Sequence, residues 1–178
     1  KMLSAERSEI YTTYNYSFSN SSTTATFLRQ SIPMLDLMAF ELDTMVMNHF
    51  KVDAVWFYDS KGSPFYFTSH HNVDQKTLAI NSGEISQLFQ KENNCNFYIN
   101  LNNRLYRVFG SKVADNNITT GYVFSASLQD ERWIDIYQKE INNSEIQFAS
   151  SDELLPELPK KYIRIERPLL SFDRSTSK

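Results

Sequence analysis

The spacing of apolar side chains changes along the chain from a helical period to a strand period near residue 50. Leu28, Leu35 and Leu42 recur every seven positions, and other apolar residues flank them, which predicts a long helix over residues 27–50. Pro33 lies inside this pattern and predicts a helix start or a kink. The heptad spacing fits a helix side that faces the core, and it equally fits a contact between two copies of the helix.

Strand-like alternation dominates the region after residue 50, where β-branched and aromatic residues alternate with polar ones. The alternation predicts five strands, near residues 52–59, 64–69, 95–101, 103–113 and 120–128. Short turns separate most neighbouring strands, which favours antiparallel pairing in a single sheet. Two further strands are predicted beyond residue 140, near residues 144–150 and 160–170.

Helical spacing returns in two shorter segments. Residues 74–92 predict a short helix that is broken near Gly83, and residues 129–142 predict an amphipathic helix with acidic residues in its first turn. Before the long helix, the Ser- and Thr-rich run at residues 19–26 predicts a helix end followed by a loop or cap.

These elements predict an α+β fold in which helices pack on one face of an antiparallel sheet, with a long helix at the N-terminal end. A chain of 178 residues is long enough for one domain with a real hydrophobic core. We expect an N-terminal helical segment at residues 1–50 and a core with a C-terminal helix and strands at residues 51–178. The two parts are expected to fold as one structural unit.

Composition narrows the class of protein. Hydrophobic residues make up 41% and charged residues 22% of the chain, which is typical of a globular protein. The net charge is -3 and no strongly basic patch occurs, so we expect no nucleic-acid partner. No apolar run approaches the roughly 18 residues that cross a bilayer. A single cysteine excludes an internal disulfide.

Residues that carry most catalytic and cofactor chemistry are scarce. The four glycines are widely scattered, whereas a phosphate-binding loop needs clustered glycines so that backbone N–H groups approach the phosphate. Adjacent His70 and His71 point in different directions on a helix or a strand and make a poor metal clamp. No nucleophile-elbow pattern accompanies the histidines. We therefore expect no cofactor, no metal site and no catalytic activity in this chain.

Two stretches resemble a known family of sensor domains. The sequence FKVDAVWFYDSKGSPFYF, residues 50–67, resembles the family's apolar strand, glycine turn and second strand. The sequence VFGSKVADNNITTGYVFSASLQDERWI, residues 108–134, resembles its last two strands and the following helix start, with Gly121, Leu128 and Asp130 at matching places. On these stretches the chain resembles CHASE4 domains, which are PAS-like and related in fold to the Cache sensors.

The resemblance implies the periplasmic or extracellular sensor domain of a bacterial or archaeal membrane receptor. We expect the flanking membrane helices to lie outside this sequence, together with an output enzyme such as a histidine kinase, diguanylate cyclase or phosphodiesterase. A small-molecule ligand is the expected signal, and the leucine heptad predicts a homodimer of the full receptor. A rival interpretation is an exported protein-interaction module without a small-molecule ligand.

A ligand in such a fold would lie in a mostly apolar cavity under the sheet, held by a few polar groups. Arg107 shares a strand face with Leu105 and Phe109, and a buried guanidinium needs a carboxylate from the protein or from a ligand. Tyr106 lies on the opposite strand face and does not line the same pocket. Further ligand-binding candidates are aromatic residues with polar tips, a type that also serves ordinary core packing: Trp56, Tyr58, Tyr66 and Tyr122.

Overall fold

The computed structural model describes residues 14–30, 47, 49–70, 80–101 and 104–140. Leu35 and Leu42 of the heptad, and most of the predicted long helix, lie outside these residues. The two strands predicted beyond residue 140 also lie outside them.

Eight elements with defined bounds make up most of the described chain. The helices are α1 at Ser22–Gln30, α2 at Ser82–Leu88 and α3 at Glu131–Glu140. The strands are β1 at Ala54–Asp59, β2 at Pro64–Ser69, β3 at Asn94–Leu101, β4 at Arg104–Asp115 and β5 at Ile118–Leu128. Residues 14–19 are also helical. No helix in this part of the chain is both long enough and apolar enough to cross a membrane.

The five strands form one antiparallel sheet in the order β2-β1-β5-β4-β3. All five predicted strands are confirmed to within a few residues, and so is their antiparallel pairing in a single sheet. The first strand in sequence lies inside the sheet, where it pairs with the last one from Ala54 opposite Ala126 to Asp59 opposite Gly121. The described part of the chain is therefore an α+β structure.

Local side chains explain the two tight connections in the sheet. Between β1 and β2, the Asp59 carboxylate accepts hydrogen bonds from the backbone N–H groups of Lys61 (2.9 Å) and Ser63 (2.8 Å). Between β4 and β5, Asn116 and Asn117 both have positive φ, 51° and 65°. Asparagine tolerates this conformation better than most residues, and two such residues in succession give the turn whose twist matches an antiparallel hairpin.

Apolar side chains cover both faces of the sheet. We name as face A the side that carries Val55, Phe57, Phe109, Val113 and Val123. We name as face B the side that carries Ala54, Trp56, Tyr58, Val108, Phe124 and Ala126. The two names follow the alternation of neighbouring residues along each strand.

Helices lie on both faces, so the prediction that they pack on one face is wrong. Face A is covered by residues 14–19, α1 and α3, whose buried side chains include Phe18, Phe27 and Trp133. Face B is covered by α2 and its flanking residues. The α2 segment crosses to face B because Ile85 and Phe89 bury their side chains there, at 1% and 3% exposure.

Helix α1 begins earlier than predicted. The Ser21 hydroxyl accepts a hydrogen bond from the Thr24 N–H (3.3 Å), which makes Ser21 the cap. The Ser- and Thr-rich residues after it are helical, because burial of Phe27 and Leu28 on face A outweighs their weak helix propensity.

Leu28, the first leucine of the heptad, faces the core rather than a partner helix. Its side chain is 4% exposed and lies against Gly121 of β5. At this position the core interpretation of the heptad is confirmed. The homodimer itself stays a prediction.

Near Gly83, where a break was predicted, residues 80 and 81 are not helical and α2 begins at Ser82, so that Gly83 lies in its first turn. Asn81 caps that helix by accepting from the Glu84 N–H (2.9 Å), and the Glu84 carboxylate accepts from the Asn81 N–H (2.8 Å). This reciprocal pair satisfies two N–H groups at the helix start.

We expect Gly121→Ala to destabilise the fold by about 1–3 kcal/mol, the usual cost of overpacking a filled core. A β-carbon at Gly121 would collide with the backbone carbonyl oxygen of Tyr58 and lie 2.8 Å from Leu28 Cδ1. Gly83→Ala is the matched control, since its β-carbon would approach only the exposed end of the Asn81 side chain, at 3.2 Å. Urea denaturation measures both variants. Equal effects would contradict the close packing of α1 on β1 and β5.

Candidate functional site

Three of the predicted ligand-binding residues lie together on face B. Tyr58 and Tyr122 are direct cross-strand partners in the β1–β5 ladder, and Trp56 lies two residues before Tyr58 on the same strand face. Trp56 and Tyr58 are buried, at 3% and 1% exposure, and Tyr122 is half-buried. The centre of the sheet therefore presents one indole and two phenol rings on a single face.

The segment around α2 packs over this aromatic surface. The Phe89 ring stacks on Tyr122 with centroids 5.1 Å apart and an interplanar angle of 28°. The Tyr58 ring meets Phe124 edge to face at 5.5 Å, and the Tyr58 hydroxyl accepts a hydrogen bond from the Ile80 N–H at 3.4 Å. These contacts hold α2 against β1 and β5 through residues that also line face B.

Small side chains occupy the middle of face B. Ala54, Ala126 and Val108 form one row across β1, β5 and β4, with Ala126 opposite both of the others. In the next row, Gly110 lies opposite Phe124. Larger side chains fill the space above these small residues, since a β-carbon at Gly110 would lie 2.6 Å from both Cys95 Sγ and Phe124 Cε1.

Trp56 contributes a buried hydrogen-bond donor to this surface. Its ring packs against Phe67 at 5.1 Å, and its Nε1 atom is buried without a hydrogen-bond partner in the described part of the protein. A buried N–H left without an acceptor costs about 1–3 kcal/mol. An acceptor atom of a bound molecule or of an ordered water would recover that cost.

Tyr106 is a further aromatic residue of face B with a polar tip, and it lies on the opposite side of β4 from Arg107. It is 4% exposed and lies beside Leu128 and Ile99 on neighbouring strands. Burial raises the pKa of its phenol, while a hydrogen bond with the Arg104 side chain lowers it. The alternation that places Tyr106 opposite Arg107 was the available signal for its membership of face B.

Asp53 brings a carboxylate to the same end of the sheet. Its side chain is buried, with the residue 4% exposed, and its Oδ2 accepts a hydrogen bond from the Leu128 N–H at 2.7 Å. Its backbone carbonyl accepts from the His70 N–H at 2.8 Å. Asp53 thereby joins the start of β1 to the ends of β2 and β5.

Arg107 lies on face A, away from the three aromatic candidates. It is buried at 5% exposure, as its apolar strand neighbours predicted. Its guanidinium carbon lies 4.8 Å from the Phe109 ring centroid and 5.7 Å from that of Tyr98, and its Nε donates to Asn96 Oδ1 at 3.4 Å. A guanidinium held over two aromatic faces is stabilised by cation–π attraction of about 0.5–2 kcal/mol.

Tyr66, the fifth candidate, also packs on face A. Its ring contacts Phe27 of α1 at 6.1 Å and Phe57 of β1 at 6.2 Å. The five predicted residues therefore divide between the two faces, and they do not line one site.

The groups on these faces offer little metal or nucleophile chemistry. The described residues contain no group of three or more His, Cys, Asp and Glu side chains placed to hold a metal ion. Burial raises the pKa of the Cys95 thiol to about 12, against a smaller lowering by a backbone hydrogen bond at Gly110. A thiol with so high a pKa carries almost no thiolate near neutral pH and is a poor nucleophile.

Comparison with solved structures finds a domain of similar fold. The chain superimposes with a TM-score of 0.56 and 12% identity on a protein described as the "extracellular domain of the putative histidine kinase vpHK1S-Z8". The match covers 75% of this chain and 54% of that one, so the chain spans about half the length of that domain. At this identity the likeness concerns the fold alone.

Sequence comparison adds no family to this likeness. No protein-family model matches the chain, and no curated protein matches it either. The chain therefore shares its fold with that extracellular domain over 75% of its own length.

Cys95 reports how tightly face B is packed, because its sulfur lies beside Gly110 and it is the single cysteine of the chain. At pH 8 we expect iodoacetamide to alkylate the native protein at least about thirtyfold more slowly than the urea-unfolded chain. The thiolate fraction falls about a thousandfold, and the greater nucleophilicity of a more basic thiolate offsets part of that loss.

The same measurement gives a pH profile. The native rate should keep rising about tenfold per pH unit above pH 9, since the pKa of Cys95 is about 12. The unfolded rate should level off there, because an ordinary cysteine has a pKa of about 8.5. A native rate that levels off near pH 9 would contradict the raised pKa of the half-buried Cys95 thiol.

Proposed function

We propose that this chain is the periplasmic or extracellular sensor domain of a transmembrane signal-transduction protein, such as a histidine kinase or a diguanylate cyclase/phosphodiesterase. The observation that carries the proposal is the shared fold with an extracellular histidine-kinase domain over 75% of the chain. The CHASE4-like and Cache-like character that the sequence predicts is part of this proposal. The chain itself is proposed to be non-catalytic, with its output enzyme elsewhere in the full protein.

Within this function, we place the small-molecule ligand on face B. Four of its residues combine an aromatic ring with a polar tip: Trp56, Tyr58, Tyr106 and Tyr122. The buried Trp56 N–H without a hydrogen-bond partner among the described residues supports this placement, since it matches an acceptor atom of a ligand. Rigid aromatic walls with a few polar groups are the usual composition of a small-molecule site.

Arg107 and Tyr66 take a different role in this proposal. Both lie on face A, where Arg107 packs over Phe109 and Tyr66 packs against Phe27. The guanidinium is then a structural element of the β3–β4 region rather than the anchor of a ligand carboxylate. This choice between faces is open to a direct test with variants of each face.

The rival function, a protein-interaction module, has less support in the described surface. Large hydrophobic side chains that are strongly exposed in this part of the chain number two, Tyr16 and Ile118, each at 63%. Protein-binding surfaces usually gather several apolar residues in one contiguous patch. Tyr16 lies in helical residues 14–19 and Ile118 begins β5.

We expect a thermal-shift screen of amino acids, organic acids, amines and nucleobases to yield a ligand. At about 100 times its Kd, a ligand stabilises by about 2.7 kcal/mol, which raises the Tm of a chain of this size by about 5–10 °C. Tyr122→Phe should reduce that shift, because it removes one polar tip of face B. Tyr16→Phe, the same change at an exposed position, should leave it unaltered. Equal ligand-induced shifts in Tm for the two variants would contradict a ligand site on face B.

Arg107→Ala distinguishes the two faces. It is expected to lower the Tm of the ligand-free domain, because Phe109 and Tyr98 lose the cation packed over their rings. The ligand-induced shift should persist. If the variant instead folds normally and loses the shift caused by a carboxylate ligand, then Arg107 holds that ligand and the site lies on face A.

A further inference from the structure

The chain enters the sheet and leaves it at the same end. Ala54, the first residue of β1, pairs with Ala126 near the end of β5. Lys51 precedes β1 and α3 follows β5, so the segment that arrives from the N-terminal part lies beside the segment that continues to the C-terminal part. A shift of one segment relative to the sheet therefore takes place close to the other segment.

One hydroxyl joins these two segments. Ser127 of β5 has an exposed fraction of 0% and donates a hydrogen bond from its Oγ to the Lys51 carbonyl at 2.8 Å. The same Oγ accepts a hydrogen bond from Trp133 Nε1 of α3 at 3.1 Å. A serine hydroxyl has one proton to donate and lone pairs to accept with, so it serves both partners at once.

We call the two hydrogen bonds of the Ser127 hydroxyl the Ser127 joint. The backbone conformation of Lys51 shows that the chain is constrained at this joint. Its φ is 54°, a left-handed conformation that costs a non-glycine residue of order 1 kcal/mol or more. Its Nζ lies 5.3 Å from the centroid of the Trp133 ring. The Lys51 side chain therefore contacts the same tryptophan that the Lys51 carbonyl reaches through Ser127.

The joint is continuous with face B through Asp53. Asp53 lies two residues after Lys51, and its carboxylate accepts from the N–H of Leu128, the residue after Ser127. Leu128 is in turn the cross-strand partner of Tyr106 on face B. Displacement of β5 near Tyr106 would therefore pull on both hydrogen bonds of Ser127.

We propose that Ser127 is a positioning residue that couples the segment entering through Lys51 to helix α3, so that the two move as one unit relative to the sheet. This inference rests on the proposed sensor function, since it names how a change on face B would reach both connecting segments. Coupling of this kind needs a group that bonds to both segments at once, and the Ser127 hydroxyl is such a group.

Hydrogen exchange of the domain without ligand tests the coupling. The reporting amides are Val52, which donates to Met47 O, and Ile134, which donates to Asp130 O. Ser127→Ala should speed exchange at both amides by about tenfold, the change expected when one buried hydrogen bond is lost. Ser111→Ala is the matched control, because it removes a buried hydroxyl of face A that bonds to Asn94 instead.

The decisive variant is Trp133→Phe, which keeps an aromatic ring and removes the N–H that Ser127 accepts. Coupling predicts faster exchange at Val52 as well as at Ile134, although Trp133 makes no hydrogen bond to Val52. Faster exchange at Ile134 alone would overturn the proposal and leave two independent local bonds. If Ser127→Ala does not fold, Trp133→Phe still decides the matter.

The hydrogen-exchange experiment and the ligand screen test different claims, so the failure of one can be told apart from the failure of the other. Exchange is measured without any ligand, so its outcome tests the joint and leaves the sensor function untouched. Conversely, a screen that yields no ligand would contradict the sensor function. A coupled exchange pattern would still support the Ser127 joint as a feature of the fold.

Discussion

Pairing between β1 and β5 is the interaction on which the rest of the structure depends. It brings Asp53 within 2.7 Å of the Leu128 N–H across a sequence separation of 75 residues. Without it, the β1–β2 hairpin and the β3–β4–β5 meander would be two separate sheets, and each would be too small to form a stable hydrophobic core of its own. Closing so long a loop costs entropy, which burial of Trp56 and Phe57 on opposite sides of the joined sheet must offset.

The joined sheet separates two different environments. Face A is packed by helical segments before β1 and after β5, and several of its aromatic contacts, such as Phe27 with Phe57 at 6.2 Å, are edge to face. Face B is covered by the shorter α2, and it carries polar-tipped rings and the buried Trp56 N–H. Both faces are therefore packed cores, and face B also carries four rings with polar tips, those of Trp56, Tyr58, Tyr106 and Tyr122.

Contacts near the end of β5 give the proposed sensor function a physical path from face B to the two segments that flank the β1–β5 pair. A change at face B reaches Leu128 through its pairing with Tyr106, and Leu128 holds the carboxylate of Asp53. The next residue along β5 toward the sheet centre is Ser127, whose hydroxyl bonds to Lys51 before β1 and to Trp133 after β5. Recognition and transmission would then use the same strand pair, with Tyr58 and Tyr122 toward one end of it and Ser127 at the other end.

The strands were predictable from the sequence because alternation and turn residues such as Asn116-Asn117 are local signals. The burial of Arg107 also followed from alternation alone, because Arg107 shares a strand face with Leu105 and Phe109. What tertiary structure decided was non-local: that β1 pairs with β5, that α2 packs on face B, and that Arg107 lies on the other side of the sheet from Trp56. Alternation tells which residues of one strand share a face, but only strand pairing relates the faces of different strands.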